Sequence, residues 1–458
     1  MQPPLSRRAL LRASGPALAA ALAGCSLTDG QETDTPPRTT PKPDGPEAIR
    51  TTDVRSDALP TTASNQPTTD RCRSGTVEPT VSEGGAHIYH QRHETGTTLL
   101  RESVTIFNDT YDVSVTTRRV PDSSYWAKLD LEIPTEAGAE LFEWRHDAAP
   151  QVPVGEFVVD QADKLRVDPC QYTDPAWDAV QYQGHTIGLP VSAETVALYY
   201  NEAIVEDPPE TLAEMQAVMA DHHDPANDQY GLNIHLGPYH LSGFAQAYGG
   251  EIYDGETDEL GLTSDAVERG FRVFFEELAP YTADPDNEYA EYYRAFENDN
   301  TAFAIDGPWR VESLSETDVE WGVTTLPALP DGGEMRPYMS VQMLYFSTRI
   351  DADPIEGQVA RQFAEWYTTN ESVLRRKANR ARYVPVYAPL VGDSELPDLT
   401  RVFSEQCARG YPMPANMKMH QVWGPVGDLV EGLYEGETDL AEGLAAAEER
   451  IREEWVTS

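Results

Sequence analysis

Residues 301–333 read TAFAIDGPWRVESLSETDVEWGVTTLPALPDGG, and this stretch decides the fold. TAFAIDGPW (301–309) and VEWGVTTLP (319–327) are short runs rich in β-branched and aromatic residues, the composition of strands. A Gly307–Pro308 turn closes the first run and leaves Trp309 just beyond a strand end.

Outward from this stretch the same grammar repeats. Toward the N-terminus, AHIYH (86–90) reads as a strand, ETGTTLLRESVTIFNDTY (94–111) as an amphipathic helix and DVSVTTRRV (112–120) as a strand. TEAGAELFEW (135–144) ends in another short strand. TIGLP (186–190) and TVALYYN (195–201) flank the polar SAE, which predicts Glu194 in a connection between extended runs. PPETLAEMQAVMADHHD (208–224) is a helix started by Pro208 and Pro209, YGLNIHLG (230–237) follows it, and a helical run spans Ser264 to Leu278. Toward the C-terminus come the strand MSVQMLYFST (339–348), the helix PIEGQVARQFAEWYTT (354–369) and a helical run from Leu429 to Trp455. Strand, helix, strand in this order is α/β and predicts a mainly parallel sheet covered by helices. Ligand-binding loops then belong at the carboxyl ends of the strands.

The N-terminus bounds where this body works. Ser6, Arg7 and Arg8 open SRRALLRASGPALAAALAGC, in which twin arginines precede an apolar run and then LAGC. This predicts a twin-arginine export signal over residues 1–25, with lipid carried by Cys25 after cleavage. A spanning helix is the rival reading, but the run from Ala9 to Gly24 is short and is interrupted by Arg12. The protein is therefore expected at the cell surface, on the outer face of the cytoplasmic membrane, touching the membrane through that lipid alone. Residues 26–70 hold 11 Thr and 7 Pro in 45 positions and no aromatic residue, too little apolar surface to offset the entropy of ordering them. A disordered Thr/Pro-rich tether is expected over 26–83, and such stalks are also sites of O-glycosylation. The body, from about residue 84 to 458, carries all eight Trp and is long enough for two domains.

With 77 Asp plus Glu against 34 Lys plus Arg, the net charge is -43, and only five of the cations are lysine. So acidic a surface repels phosphates, which argues against nucleic acid as a partner. Adaptation to molar salt explains it, because there the Debye length falls to about 3 Å and self-repulsion no longer unfolds the chain. A calcium-binding acidic surface is the rival, but no segment has the regular oxygen-ligand spacing such a site needs. Besides Cys25 there are Cys72, Cys170 and Cys407, which permit one disulfide of unspecified pairing. No CxxC or Cys/His cluster suggests a metal, and no cofactor is expected.

Five blocks carry a family likeness: residues 301–333, LFEWRHD (141–147), AWDAVQYQGHTIGLPVSAETVALYYNEAIVEDPPETLAEM (176–215), LGPYHLSGFAQAYGGEIY (236–253) and GYPMPANMKMHQVW (410–423). In order and across nearly the whole body, they resemble maltose- and maltodextrin-binding proteins of the extracellular solute-binding superfamily. The resemblance implies an α/β, two-lobed periplasmic-binding-protein-like fold with crossing hinge segments. Lobe 1 would comprise residues 84–193 and 338–392, lobe 2 residues 197–337 and 393–458, with Glu194 at the first crossing. It also implies a non-enzymatic monomer that closes on an oligosaccharide and delivers it to the membrane permease subunits of an ABC transporter powered by ATPase subunits.

A sugar presents hydroxyls at its rim and C–H bonds on its face, so its site needs aromatic rings together with carboxylates or amides. By the resemblance, Trp144, Tyr239, Trp309 and Trp423 are the stacking residues, and Asp147 and Glu194 accept from sugar hydroxyls. Arg92, His93 and Glu94 occupy the region where the family places an acid and a lysine. Two departures stand out. Ala148 replaces a family arginine and Gly237 a family glutamate, so the stacking platform survives while two rim contacts are missing and maltose itself is put in question. The alternatives are a binder of a non-sugar solute and a surface glycoside hydrolase using Asp147 and Glu194 as an acid and base pair.

Overall fold

A computed structural model of the protein describes residues 75–282 and 293–457. The export signal, Cys25 and residues 26–74 of the expected tether lie outside the described residues. In chain order the principal elements begin with strand β1 (Gly85–His90), helix α1 (Glu94–Tyr111), β2 (Ser114–Arg119), β3 (Leu141–Arg145), β4 (Gly188–Glu194) and β5 (Ala197–Asn201). Next come β6 (Tyr230–Ile234), α2 (Pro238–Ala245), β7 (Thr301–Asp306), the single turn α3 (Val311–Leu314), β8 (Trp321–Thr324) and β9 (Tyr338–Phe346). The chain continues through α4 (Pro354–Thr369), α5 (Glu371–Ala381), α6 (Asp398–Arg409), β10 (Tyr411–Pro412), α7 (Met417–Tyr434) and α8 (Leu440–Thr457).

These strands form two main sheets. One has six strands in the order β10-β9-β3-β1-β2, with β4 also paired to β9; the other has four, β8-β5-β7-β6. Both are mixed. β1 runs parallel to β2 and β3, while β9 is antiparallel to β3 and β4. In the smaller sheet β7 is parallel to β6 but antiparallel to β5. The expected mainly parallel sheet is thus corrected, because the returning strand β9 and the strands on either side of the first crossing run against their neighbours.

Two passages between the sheets lie side by side. β4 ends at Glu194 in the larger sheet and, after only Thr195 and Val196, β5 begins in the smaller one. Beside it β9 enters the larger sheet, with Ser340 paired to Glu194 and the Thr195 hydroxyl donating to Tyr338 O at 3.0 Å. Glu194 is therefore the last residue of a strand rather than a loop residue. The polar SAE stays extended because β9 supplies its backbone partners.

One apolar core follows the smaller sheet, including Leu232, Phe303 and Ile305, and is closed by Val430, Leu444 and Ile451 from α7 and α8. Another underlies the larger sheet, with Ile88, Phe107, Leu344 and Phe363, and runs through Val402 and Phe403 of α6 to Tyr199 and Trp321 of the smaller sheet. α6 thus sits on both sheets. A break over residues 435–439, where Gly436 takes φ 70°, divides the C-terminal helical run into α7 and α8. Packing extends ahead of Gly84, with Val77 buried and the Thr80 and Val81 N–H groups donating to Gln362 at 2.5 and 3.2 Å. Cys170 is disulfide-bonded and Cys407 is free. Among the described residues no helix is long and apolar enough to cross a membrane.

Candidate functional site

The DGPW turn after β7 is built from its acid outward. Asp306 is fully buried; its Oδ1 accepts from Gly307 N–H at 2.7 Å and its Oδ2 from Arg310 Nε at 2.8 Å. Tyr199 donates to Gly307 O at 2.7 Å, and the Trp309 indole folds back over the Gly307 α-carbon, where any β-carbon would collide with the ring. Glycine is required there for space. The indole as a whole is only partly buried, but its Nε1–H is itself buried and has no hydrogen-bond partner among the described residues.

Tyr239, at the second position of α2, brings its ring to 6.2 Å from that of Trp309 and donates its hydroxyl to the backbone oxygen of Glu194 at 3.2 Å. Strand-turn-helix geometry accounts for this: Pro238 starts α2 immediately after β6, so Tyr239 projects at the carboxyl end of the smaller sheet.

Glu194 Oε2 accepts from Gln342 Nε2 at 3.0 Å. Its side chain keeps some exposed area, but the surrounding protein strips enough water from the carboxyl to push its pKa up to about 7. The charges of Glu143 and Asp147 push the same way, while Gln342 and Arg145 oppose them. Asp147 follows β3; Arg145 Nε donates to its Oδ2 at 3.0 Å and lies 2.9 Å from Oδ1, which lacks hydrogen-bond geometry with any described group. A cation two residues before Asp147 thus stands beside it, although residue 148 is a buried alanine. Next to Gly237 the space is taken by the His235 ring, 2.6 Å from where a β-carbon would sit.

The remaining predicted residues are distributed as follows. Trp423 packs edge-on against Tyr338 at 5.7 Å. Trp144 is only 6 % exposed and lies in a cluster with Trp126 at 5.6 Å and Tyr125 at 5.7 Å. Arg92 is buried and forms an ion pair with Glu143, through Nε at 2.7 Å, while its Nη1 donates to Tyr367 at 2.7 Å. His93 and Glu94 are exposed at the start of α1. The geometry thus brings Tyr239, Trp309 and Glu194 together, with Asp147 electrostatically in reach, and sets Trp144 and Arg92 into packed surroundings.

Residues not singled out from sequence complete this region. Thr95, in the first turn of α1, donates both its N–H and its hydroxyl to Glu312 of α3, at 2.8 and 2.9 Å. α3 directly follows the turn that carries Trp309, so the two sheets' attachments meet here. Arg145 was legible within LFEWRHD as a cation beside an acid. Gln342 and Glu312 carry no local signal, since each is brought in by a contact between distant segments.

The arrangement can bind a neutral polyhydroxylated ligand: two aromatic rings, and carboxylates and an amide for hydroxyls. Residues 102–391 match the family of bacterial extracellular solute-binding proteins. The maltotriose-binding protein of Pyrococcus abyssi (strain GE5 / Orsay) is 33% identical over 332 residues, covering 70% of each chain. A maltooligosaccharide ABC transporter solute-binding lipoprotein of Streptococcus pneumoniae (strain ATCC BAA-255 / R6) is 22% identical over 291 residues, 59% of this chain and 67% of that one. Among solved structures, the Thermus thermophilus maltotriose-binding protein bound with maltotriose superposes with a TM-score of 0.68 at 21% identity, covering 80% of this chain and 99% of that one. The fold is the two-lobed one of periplasmic maltose-binding proteins.

Proposed function

The chain belongs to the bacterial extracellular solute-binding proteins, and from that premise we propose that it captures a maltooligosaccharide and delivers it to the permease of an ABC importer. The observation that carries the reading is the Tyr239–Trp309 ring pair, 6.2 Å between centroids, held over the end of β4 by the Tyr239 hydroxyl's bond to Glu194. Ring faces cover the C–H face of a pyranose, and Glu194, Gln342 and Asp147 serve its rim. The relatives named for maltotriose and maltooligosaccharides support this choice of sugar.

Lobe 1 is assigned to residues 84–193 and 338–392 and lobe 2 to 197–337 and 393–458, with closure about the crossings. Ligand binds one lobe, the other adds its rings, and the closed state is populated because only it contacts both sides of the sugar. Cys25 carries the lipid that holds the protein at the outer face of the cytoplasmic membrane, and the acidic surface suits molar salt. A lipoprotein among the relatives supports the anchor.

Calorimetric titration in high salt with maltose, maltotriose, maltotetraose and a galactooligosaccharide tests the reading. Saturable binding of the maltooligosaccharides, with the sugar recovered uncleaved, is expected. Binding of none of them, or release of shortened sugars, would sink it.

A further inference from the structure

We infer that Tyr383 is a sugar-contacting residue, a partly exposed aromatic ring on the six-stranded-sheet side, opposite Glu194. The inference rests on the sugar-binding reading above and adds a residue to that site.

Three contacts fix its place. The antiparallel bridge between Ala193 and Val384, with Ala193 N–H donating to Val384 O at 3.0 Å, sets Tyr383 opposite Glu194. The phenol reaches over the first turn of α1, where a β-carbon on Gly96 would sit 2.8 Å from its oxygen. That same turn holds Thr95, whose partner Glu312 comes from the segment carrying Trp309. Tyr383 therefore borders the gap that this contact spans, with Glu194 on one flank and the helix start on the other.

The ring is backed by charge. Arg92 Cζ lies 5.2 Å and Lys377 Nζ 5.3 Å from its centroid, and the same two groups lie 5.5 and 4.4 Å from the centroid of Tyr367. Arg92 is neutralised by Glu143, whereas burial and the Arg92 charge drive the Lys377 amine toward its neutral form. These groups are buried and fix the phenol from behind, and a guanidinium on the ring makes the O–H a better donor. Tyr383 itself stays partly exposed, and its hydroxyl exchanges no hydrogen bond with the described residues. Burial raises its pKa, so it meets a ligand as a neutral donor and acceptor. Trp144, by contrast, is closed in by Trp126 and Tyr125, whereas Tyr383 keeps part of its surface exposed beside Glu194.

The test titrates maltotriose into wild type, Tyr383→Phe, Tyr383→Ala, Gly96→Ala and Trp309→Ala. Tyr383→Phe keeps the ring and its contact with Arg92 and removes only the hydroxyl, so a weakening of about fivefold is expected with an unchanged melting temperature. Tyr383→Ala is expected to weaken binding about tenfold or more, and Gly96→Ala, which displaces the hydroxyl, to resemble Tyr383→Phe. If wild type binds and Trp309→Ala does not, while Tyr383→Phe and Tyr383→Ala both stay within about twofold of wild type, the assignment of Tyr383 is overturned and the sugar-binding reading stands. A wild type that binds none of the panel removes both.

Discussion

Thr95 gives both of its donors, the backbone N–H at 2.8 Å and the hydroxyl at 2.9 Å, to one carboxylate oxygen of Glu312. No side chain of its own caps α1, so a carboxylate from the segment following the other sheet supplies that service at the positive end of an 18-residue helix. Glu312 lies three residues past Trp309, which ties the position of the indole to the closeness of the two sheets' attachments. Glu312→Gln keeps an acceptor but loses the charge. It is expected to weaken the contact by about 1 kcal/mol, roughly a fivefold shift toward a more open unliganded state. Small-angle scattering without sugar should show a larger radius of gyration than wild type. An unchanged radius would mean that the contact does not bias closure.

Glu194 makes a pH prediction whose sign is fixed. Its carboxyl, ordinarily near 4.5, is raised to about 7 by burial, so the folded state binds this proton more tightly than the unfolded state. The stability this contributes is fully present below pH 4.5 and is lost as the pH rises through about 7. Thermal unfolding of Glu194→Gln should therefore gain on wild type between about pH 5 and about pH 8. A constant difference across that window would show that Glu194 is not the group that titrates.

The same carboxyl predicts proton release on binding. Sugar hydroxyls that donate to Glu194 favour its ionised form, so near neutral pH maltotriose binding should expel a fraction of a proton. Calorimetry in two buffers of different ionisation enthalpy measures this directly. The buffer dependence should vanish in Glu194→Gln.

Arg92 and Glu143 form a buried ion pair, with side chains 4% and 6% exposed. Arg92→Met strands the carboxylate without its partner and is expected to cost about 3–5 kcal/mol in denaturant unfolding. Adding Glu143→Leu should recover most of that loss. A double variant no better than the single would place the cost in the Tyr367 contacts instead.

Gly307→Ala places a carbon where the Trp309 indole lies. The ring must leave, so maltotriose affinity is expected to fall about tenfold or more, with little change in melting temperature. Native affinity in this variant would remove Trp309 from the site.

Much of this molecule was legible in the linear chain. The alternation of β-branched runs with amphipathic stretches located β1, α1, β2 and β7 because each element answers mainly to its own periodicity. Glu194 was misplaced by one step, since SAE looks like a loop until Ser340 pairs with it. Trp309 announced itself through the DGPW turn, a local device that aims a side chain, whereas Tyr239 was named only through the family resemblance. Nothing in the linear chain signalled that Trp144 would be covered by Trp126, which lies 18 residues away on another element.

Periodicity, charge and turn chemistry act over a few residues, so the linear chain alone set the α/β alternation, the extreme acidity and the turn behind Trp309, while the other candidate rings came from the family resemblance. Which of those rings stay accessible, and which acid is stripped of water, depended on long-range packing. It also decided that Thr95 would be capped by a carboxylate from the other half. Burial and desolvation belong to whatever surrounds a group, and what surrounds Glu194, Trp144 and Thr95 arrives from segments tens to hundreds of residues away.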